Sequence, residues 1–346
     1  MRVLVVGAGP AGLASAIAAA ERGAEVRVFE KRVGPLDKAC GEGIMPQGTA
    51  WLVRHGVDLE EAGRPFVGIR YVEGERVMAG RFFGAAGRAV RRTVLSERLL
   101  VRARGLGVDI VRGAVVDNAG ITPDGVWLDV AGERISGDLG VAADGLHGRV
   151  SGLLGAATPR SSSVARYGIR FHVERAPWTD HVEVHWSDHG EAYVTPVGDD
   201  EIGVAFLSSE KPLNVQRLLS RFPLLQEKLI GASMRSQSRG AGPLGKPVGR
   251  RRVGNFGLVG DSSGYVDACT GEGLSLAFVQ ASAWIECAMA RRAWAYEWHH
   301  RRIIARYALA TRAVLLLARF PQLRRPVFSS FERFPPLFRL ALNMVT

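Results

Sequence analysis

The chain is short of cysteine, of acidic charge and of long apolar runs. Its three cysteines, Cys40, Cys269 and Cys287, supply neither a disulfide framework nor a zinc spacing. A reducing, cytoplasmic setting without a metal centre is therefore expected. No stretch reaches the ~20 consecutive apolar residues that a membrane helix needs. The longest candidate, 308–318, is interrupted by Arg312. Acidic residues number 34 against 45 basic ones, a net charge of +11. Much of the excess is arginine near the end: Arg301, Arg302, Arg306, Arg312, Arg319, Arg324, Arg325, Arg333 and Arg339, with Glu332 the single acid among them. No nucleic-acid recognition motif accompanies them. The remaining readings are a solvated helical face, or contact with a membrane surface or an acidic carrier protein through aromatic and aliphatic residues interleaved with arginine.

What is present is ordinary globular composition, 47% hydrophobic and 23% charged, in a length that permits two closely packed domains. The first thirty residues carry the densest pattern. Residues 3–6 are aliphatic without a polar break, as in a strand buried on both faces of a parallel sheet. Gly7, Gly9 and Gly12 follow in G-x-G-x-x-G spacing, an Ala-rich helix is predicted over 11–22, and Gly23 stands at its C-cap. A second strand then ends at Glu30. The first glycine suits a tight turn, the second a close approach to pyrophosphate, and the third close helix–strand packing. Pro10 and Ala11 open the helix whose N-terminus attracts phosphate, and Glu30 is placed to accept from ribose hydroxyls. These glycines also interrupt the apolar core that a signal peptide would require. A second copy of the spacing, Gly240 to Gly245, is followed by Lys246, Pro247 and an arginine run; it predicts a loop, because proline does not open a packed helix interior.

Further along, Lys31, Arg32 and Lys38 are candidates to neutralise phosphate, and a glycine-bracketed turn holds Cys40, Gly41, Glu42 and Gly43. An apolar strand runs into Asp144 and Gly145, where open α/β sheets place ligand groups; a helix N-cap is the competing role for the aspartate. From 166 to 207 the pattern changes to period two, predicting an antiparallel meander followed by one amphipathic helix over 214–230. A strand then ends at Gly260 and Asp261, and Thr270, Gly271, Glu272 and Gly273 open a long helix. His172, His185 and His189 have no sequence partner at catalytic or metal spacing, and His299 and His300 are predicted at the surface. The tail after 293 is predicted helical, broken at Pro321, Pro326, Pro335 and Pro336.

Three of these motifs, in this order, resemble the superfamily of FAD-dependent monooxygenases and geranylgeranyl reductases, which shares the para-hydroxybenzoate hydroxylase fold. They are the Gly7–Gly12 turn with Glu30, the Asp144-Gly145 pair, and the Gly260-Asp261 pair. Arg92, with Leu95 and Leu99 at helical spacing, is similar to the segment whose arginine lies beside the cofactor. The resemblance implies an α/β fold: a Rossmann-like FAD-binding domain with a parallel sheet (1–64, 91–158 and 250–292), an antiparallel β-sheet substrate domain (65–90 and 159–249) and C-terminal helices (293–346). It implies FAD held by Gly7, Gly9, Pro10, Ala11, Gly12, Glu30, Lys31, Arg32, Lys38, Cys40, Gly41, Arg92, Val115, Asp144, Gly145, Gly260, Asp261, Gly271, Glu272 and Gly273. NAD(P)H is implied as a transient electron donor, since a single credible nucleotide turn is present.

The Cys40 and Thr270 segments look more like the geranylgeranyl reductase and halogenase branch. That branch carries a Tyr-x-Trp-x-Phe-Pro or Trp-x-Trp-x-Ile-Pro strand, where this chain has Glu191-x-Tyr193-x-Thr195-Pro196. Glu191, Tyr193 and Thr195 share one face of a strand, so the family's apolar clamp is mixed and polar here; no halogenase Gly-Trp-x-Gly-Lys segment occurs. The expectation is an NAD(P)H-dependent monooxygenase hydroxylating an aromatic or polyketide-like molecule, with Cys40, Glu191, Tyr193 and Thr195 as catalytic candidates. The alternative is a flavin ene-reductase acting on an isoprenoid or lipid.

Overall fold

Strand Arg2–Val6 is the centre of a six-stranded sheet. The order is Arg252–Val253, Phe256–Leu258, Leu139–Ala142, Arg2–Val6, Glu25–Glu30 and Asp109–Arg112, parallel except for the first, two-residue strand. The computed structural model describes residues 1–158 and 165–344. The absence of a polar break in the first strand has a direct cause. Val3 and Val5 pack against helices Pro10–Ala20, Arg92–Gly105 and Gly273–Met289, whereas Leu4 and Val6 pack under a three-stranded antiparallel sheet around Val126 and Leu128. Both faces are covered, so both sets of side chains are apolar. Gly23 takes φ +78° in the turn after the first helix, the left-handed geometry that favours glycine there.

A second, seven-stranded sheet runs Arg239–Ala241, Tyr167–Glu174, Glu201–Ser208, Gly190–Thr195, Val182–Ser187, Gly68–Glu73 and Arg76–Arg81. Period two is present throughout, but the sheet is not the simple meander expected. Tyr167–Glu174 pairs with Glu201–Ser208 rather than with the strand that follows it, and Val182–Ser187 lies parallel to Gly68–Glu73. One face packs Phe171, Val173, Val204 and Phe206 under two short helices. Those helices, Val215–Leu219 and Pro223–Lys228, replace the single helix expected over 214–230. Pro223 keeps Phe222 out of the helical region (φ −131°, ψ 73°), so the first helix cannot run on into the second.

The other face, with Ile69, Met78, Val184, Trp186, Tyr193 and Leu207, meets the C-terminal helices Tyr296–Arg319, Pro321–Arg333 and Pro335–Asn343. Pro321 and Pro335 begin helices, where a missing N–H costs nothing. Pro326 lies inside the second helix and does not break it. Arg324 is buried and pairs with Glu73 and Asp188, 2.6 Å each, so one arginine of the basic tail is an internal anchor rather than a solvated charge. The expected boundary at 158/159 touches residues outside those described.

Candidate functional site

The turn after the first strand is built by glycines with separate tasks. Gly7 takes φ +100° and donates its N–H to Phe29 O at 2.8 Å. A Cβ on Gly12 would stand 1.8 Å from Gly7 O, so only glycine lets helix and strand approach this closely. Gly9 differs: its Cβ would meet nothing nearer than Arg92 Nη2 at 3.9 Å. Its hydrogen faces an open cavity. No side chain caps helix Pro10–Ala20 at that end, leaving its N–H groups and positive pole directed into the same space. Glu30 accepts from Ala8 N–H at 2.9 Å and from Arg32 N–H at 3.0 Å, so it braces the turn as well as closing the second strand.

The cavity, of about 1500 Å³, runs from Gly9, Lys31 and Arg32 past Arg92 and Asp261 to Gly271–Gly273, and then over the second sheet. Of the residues expected to hold the cofactor, all but Gly7, Gly12, Glu30 and Val115 line it. The first three shape the turn from behind. Val115 is 48% exposed and outside the lining; it follows the edge strand Asp109–Arg112, next to Ala114, whose N–H donates to Glu30 O at 3.0 Å.

Asp144 is not the N-cap residue, which is Arg149, but its side chain bonds the first N–H of the short helix Val150–Leu153. Its carboxylate accepts from Val150 N–H at 2.9 Å and from Ser262 Oγ at 2.8 Å, and Ser262 Oγ in turn accepts from Gly145 N–H at 2.8 Å. The two distant motifs are thereby tied into one wall. Asp261 is freer: among the described residues no donor bonds its carboxylate, and burial pushes its pKa up against the pull of Lys38 and Arg92. Glu272 is also without a hydrogen bond there, is 5% exposed, and is raised to about 8 by burial. Thr270 Oγ1 is buried without a partner among the described residues.

The Cys40 segment is held by a network that no sequence spacing reveals. Glu42 takes φ +61°, rare for a side chain this large. Its carboxylate accepts from Arg92 N–H at 2.8 Å and meets His172 Nε2 at 2.6 Å. His172 Nδ1 lies 2.7 Å from Ser236 Oγ, and neighbouring Arg170 bonds Asp37 and Lys38 O. His172 thus has partners, supplied by segments more than sixty residues away. Cys40 is half-buried with its thiol pushed up by burial, which leaves it protonated and unreactive as a thiolate. His185 pairs with Glu183, and His189 with Glu210 at the surface. His300 corrects the surface expectation: it is 1% exposed, lies 2.9 Å from Ser263 Oγ, and is lowered to about 3 by burial and by Arg251. Its position on the inward face of a helix decides this. Among the described residues no cluster of His, Cys, Asp and Glu is suited to a metal.

The polar strand behaves differently from its sequence. Tyr193 Oη donates to Cys269 O at 2.8 Å and Thr195 Oγ1 to Gly41 O at 2.7 Å. Glu191, fully buried, bonds Arg166 and does not line the cavity; burial raises it to about 7, with Arg166 opposing. The polar atoms are consumed internally. Over the second sheet the lining is mainly apolar, with Phe66, Ile69, Val182, Val184 and Leu207 from the strands and Val314, Leu317, Phe331 and Phe338 from the C-terminal helices, while Arg170, Arg239, Arg306 and Asn343 also reach it. Period two carried the strand half of this wall; the helix half came from the tail that the motifs leave out. The second glycine copy forms a three-residue edge strand, Arg239–Ala241, and opens no helix.

An elongated nucleotide fits this cradle. The open space at Gly9, the uncapped helix, and Asp261 and Thr270, without hydrogen-bond partners for their side chains among the described residues, supply a phosphate site at one end and acceptors for hydroxyls further in. Comparison with known proteins agrees. Residues 1–199 match the family described as FAD binding domain. The chain is 31% identical over 300 residues to menaquinone reductase of Mycobacterium tuberculosis (79% of this chain, 72% of the relative). It is 30% identical over 308 residues to digeranylgeranylglycerophospholipid reductase 1 of Methanopyrus kandleri (80% and 77%). Its fold matches that of a flavoprotein/dehydrogenase from Cytophaga hutchinsonii with a TM-score of 0.88, at 17% identity over 100% of this chain and 92% of the other. The chain is an FAD-dependent oxidoreductase, and it belongs to the FAD-binding-domain family of para-hydroxybenzoate hydroxylase-like flavoproteins, which unites FAD monooxygenases with geranylgeranyl reductases.

Proposed function

We propose that this protein saturates a carbon–carbon double bond in an isoprenoid or other lipid substrate. The observation that carries this reading is the apolar wall of the cavity. The hydroxylase expectation rested on Glu191, Tyr193 and Thr195 orienting a phenol, and their polar atoms are engaged inside the protein. A wall that is mainly aliphatic and aromatic over the second sheet selects by apolar contact, as a prenyl chain requires. The names of the two relatives, a menaquinone reductase and a digeranylgeranylglycerophospholipid reductase, support the same substrate class.

FAD, when bound and reduced, supplies the hydride equivalent. The chain would hold it with the Pro10 helix end and Arg32 near phosphate, Asp261 at hydroxyls, and the Gly271–Gly273 amides at the ring. Those amides stand at the positive end of helix Gly273–Met289 and favour negative charge. The strand and helix side chains exclude water and align the substrate. NAD(P)H is proposed as the electron source, visiting the open cavity rather than a domain of its own.

Anaerobic incubation of dithionite-reduced enzyme with a prenylated quinone and a geranylgeranyl lipid tests the reading, with products followed by mass spectrometry. A gain of two hydrogens per double bond is expected. Gain of one oxygen atom from labelled dioxygen, with a phenolic panel, would instead establish the hydroxylase.

A further inference from the structure

We propose that the outer face of the C-terminal helices docks on an anionic lipid bilayer, and that the apolar cavity opens onto that face. The helices bury their inner residues, Phe328 and Phe338 among them, against the second sheet. Their outer side is unusually apolar for a surface: Leu309 is 73% exposed, Leu316 52%, Leu323 53%, Phe334 53%, Leu337 49% and Leu340 53%. Taking such side chains out of water is favourable, and apolar exposure of this extent on consecutive helices suits an interaction surface.

Charge selects the partner. From 293 to 344 the sequence holds nine arginines and, as acids, only Glu297 and Glu332. With Arg324 buried and Arg325 3.9 Å from Asp188, seven exposed arginines remain to meet a negative surface. Several lie beside exposed aromatic rings, Arg302 4.5 Å from the Trp298 centroid and Arg339 4.7 Å from that of Phe83. Aliphatic and aromatic side chains interleaved with arginine suit the headgroup layer, where the former enter the acyl boundary and the latter meet anionic lipid. A nucleic-acid backbone would leave the leucines unused. Among the described residues no helix is long and apolar enough to cross a membrane, so the helices lie on the surface rather than span it.

The cavity connects to this face. Leu309, Ala313 and Met344 line it and are exposed as well, so they form its rim. A chain-like apolar substrate dissolved in a bilayer would pass from acyl chains to the cavity wall without crossing water. Vesicle binding is independent of turnover, so the inference stands or falls apart from the proposed reaction.

The test is flotation of flavin-loaded protein with vesicles of phosphatidylcholine alone and of phosphatidylcholine with phosphatidylglycerol. Binding to the anionic vesicles is expected, weakening with salt. The surface variant R319E/R333E should bind at least about tenfold more weakly, given about 1 kcal/mol per basic side chain near such a surface; L316S/L340S should lose binding as well. Circular dichroism and flavin content of both variants should match the parent. No binding to anionic vesicles, undiminished binding by either variant, or binding to an acidic protein without any to vesicles overturns the proposal.

Discussion

His172 Nε2 lies 2.6 Å from Glu42 Oε2, and both side chains are 1% exposed. This contact joins the glycine-bracketed loop to strand Tyr167–Glu174, second from the edge of the seven-stranded sheet. It also holds Glu42 in its left-handed conformation, since the second carboxylate oxygen is fixed by Arg92 N–H. Glu42→Ala strands a buried histidine and an amide. It should destabilise the fold by about 3–5 kcal/mol in urea titration, as removal of one partner of a buried pair does. Glu42→Gln keeps the shape and should cost less, about 1–3 kcal/mol.

Gly9 and Gly12 separate binding from folding. Gly12→Ala meets Gly7 O and should lower stability by about 1–3 kcal/mol even without cofactor. Gly9→Ala meets only open space at an ordinary φ of −69°. Its melting temperature without flavin should match the parent, while its FAD affinity falls at least about tenfold in a fluorescence titration. Unchanged affinity would place the phosphates elsewhere.

Glu272 is expected to write a pH dependence onto flavin-free protein. Burial raises it from an ordinary 4.5 to about 8, so between those values the native chain keeps a proton that the unfolded chain has lost. Stability is full below pH 4.5, falls as pH rises through the window, and levels off above about 8. Glu272→Gln should remove that slope, by a few kcal/mol at pH 8. Urea midpoints across the range check it.

Arg324 fastens the lid-forming helices to the second sheet through Glu73 and Asp188. Arg324→Ala leaves Glu73, itself largely buried, without its partner and should cost about 3–5 kcal/mol. Local release of helices Pro321–Arg333 and Pro335–Asn343 should appear first, as faster amide hydrogen exchange there than in the nucleotide sheet.

Local pattern determined much of this protein. The glycine spacing at 7, 9 and 12, the unbroken strand before it and the period-two run from 166 are short-range signals, because turn geometry and side-chain alternation act over a few residues. They marked the central strand of the first sheet, the turn after it and four strands of the second, but not the order in which those strands pair. Tertiary structure alone decided which polar groups are free. Tyr193 and Thr195 look available on their strand, yet carbonyls of Cys269 and Gly41, 76 and 154 residues away, take their hydrogens. His172 finds Glu42 across 130 residues, and His300 and Arg324 turn inward on helices whose packing partners are distant in sequence. A hydrogen bond is satisfied by proximity in space, which spacing along a chain does not encode; so the glycine turn was legible at once, and the mainly apolar lining of the cavity over the second sheet emerged only when the chain closed on itself.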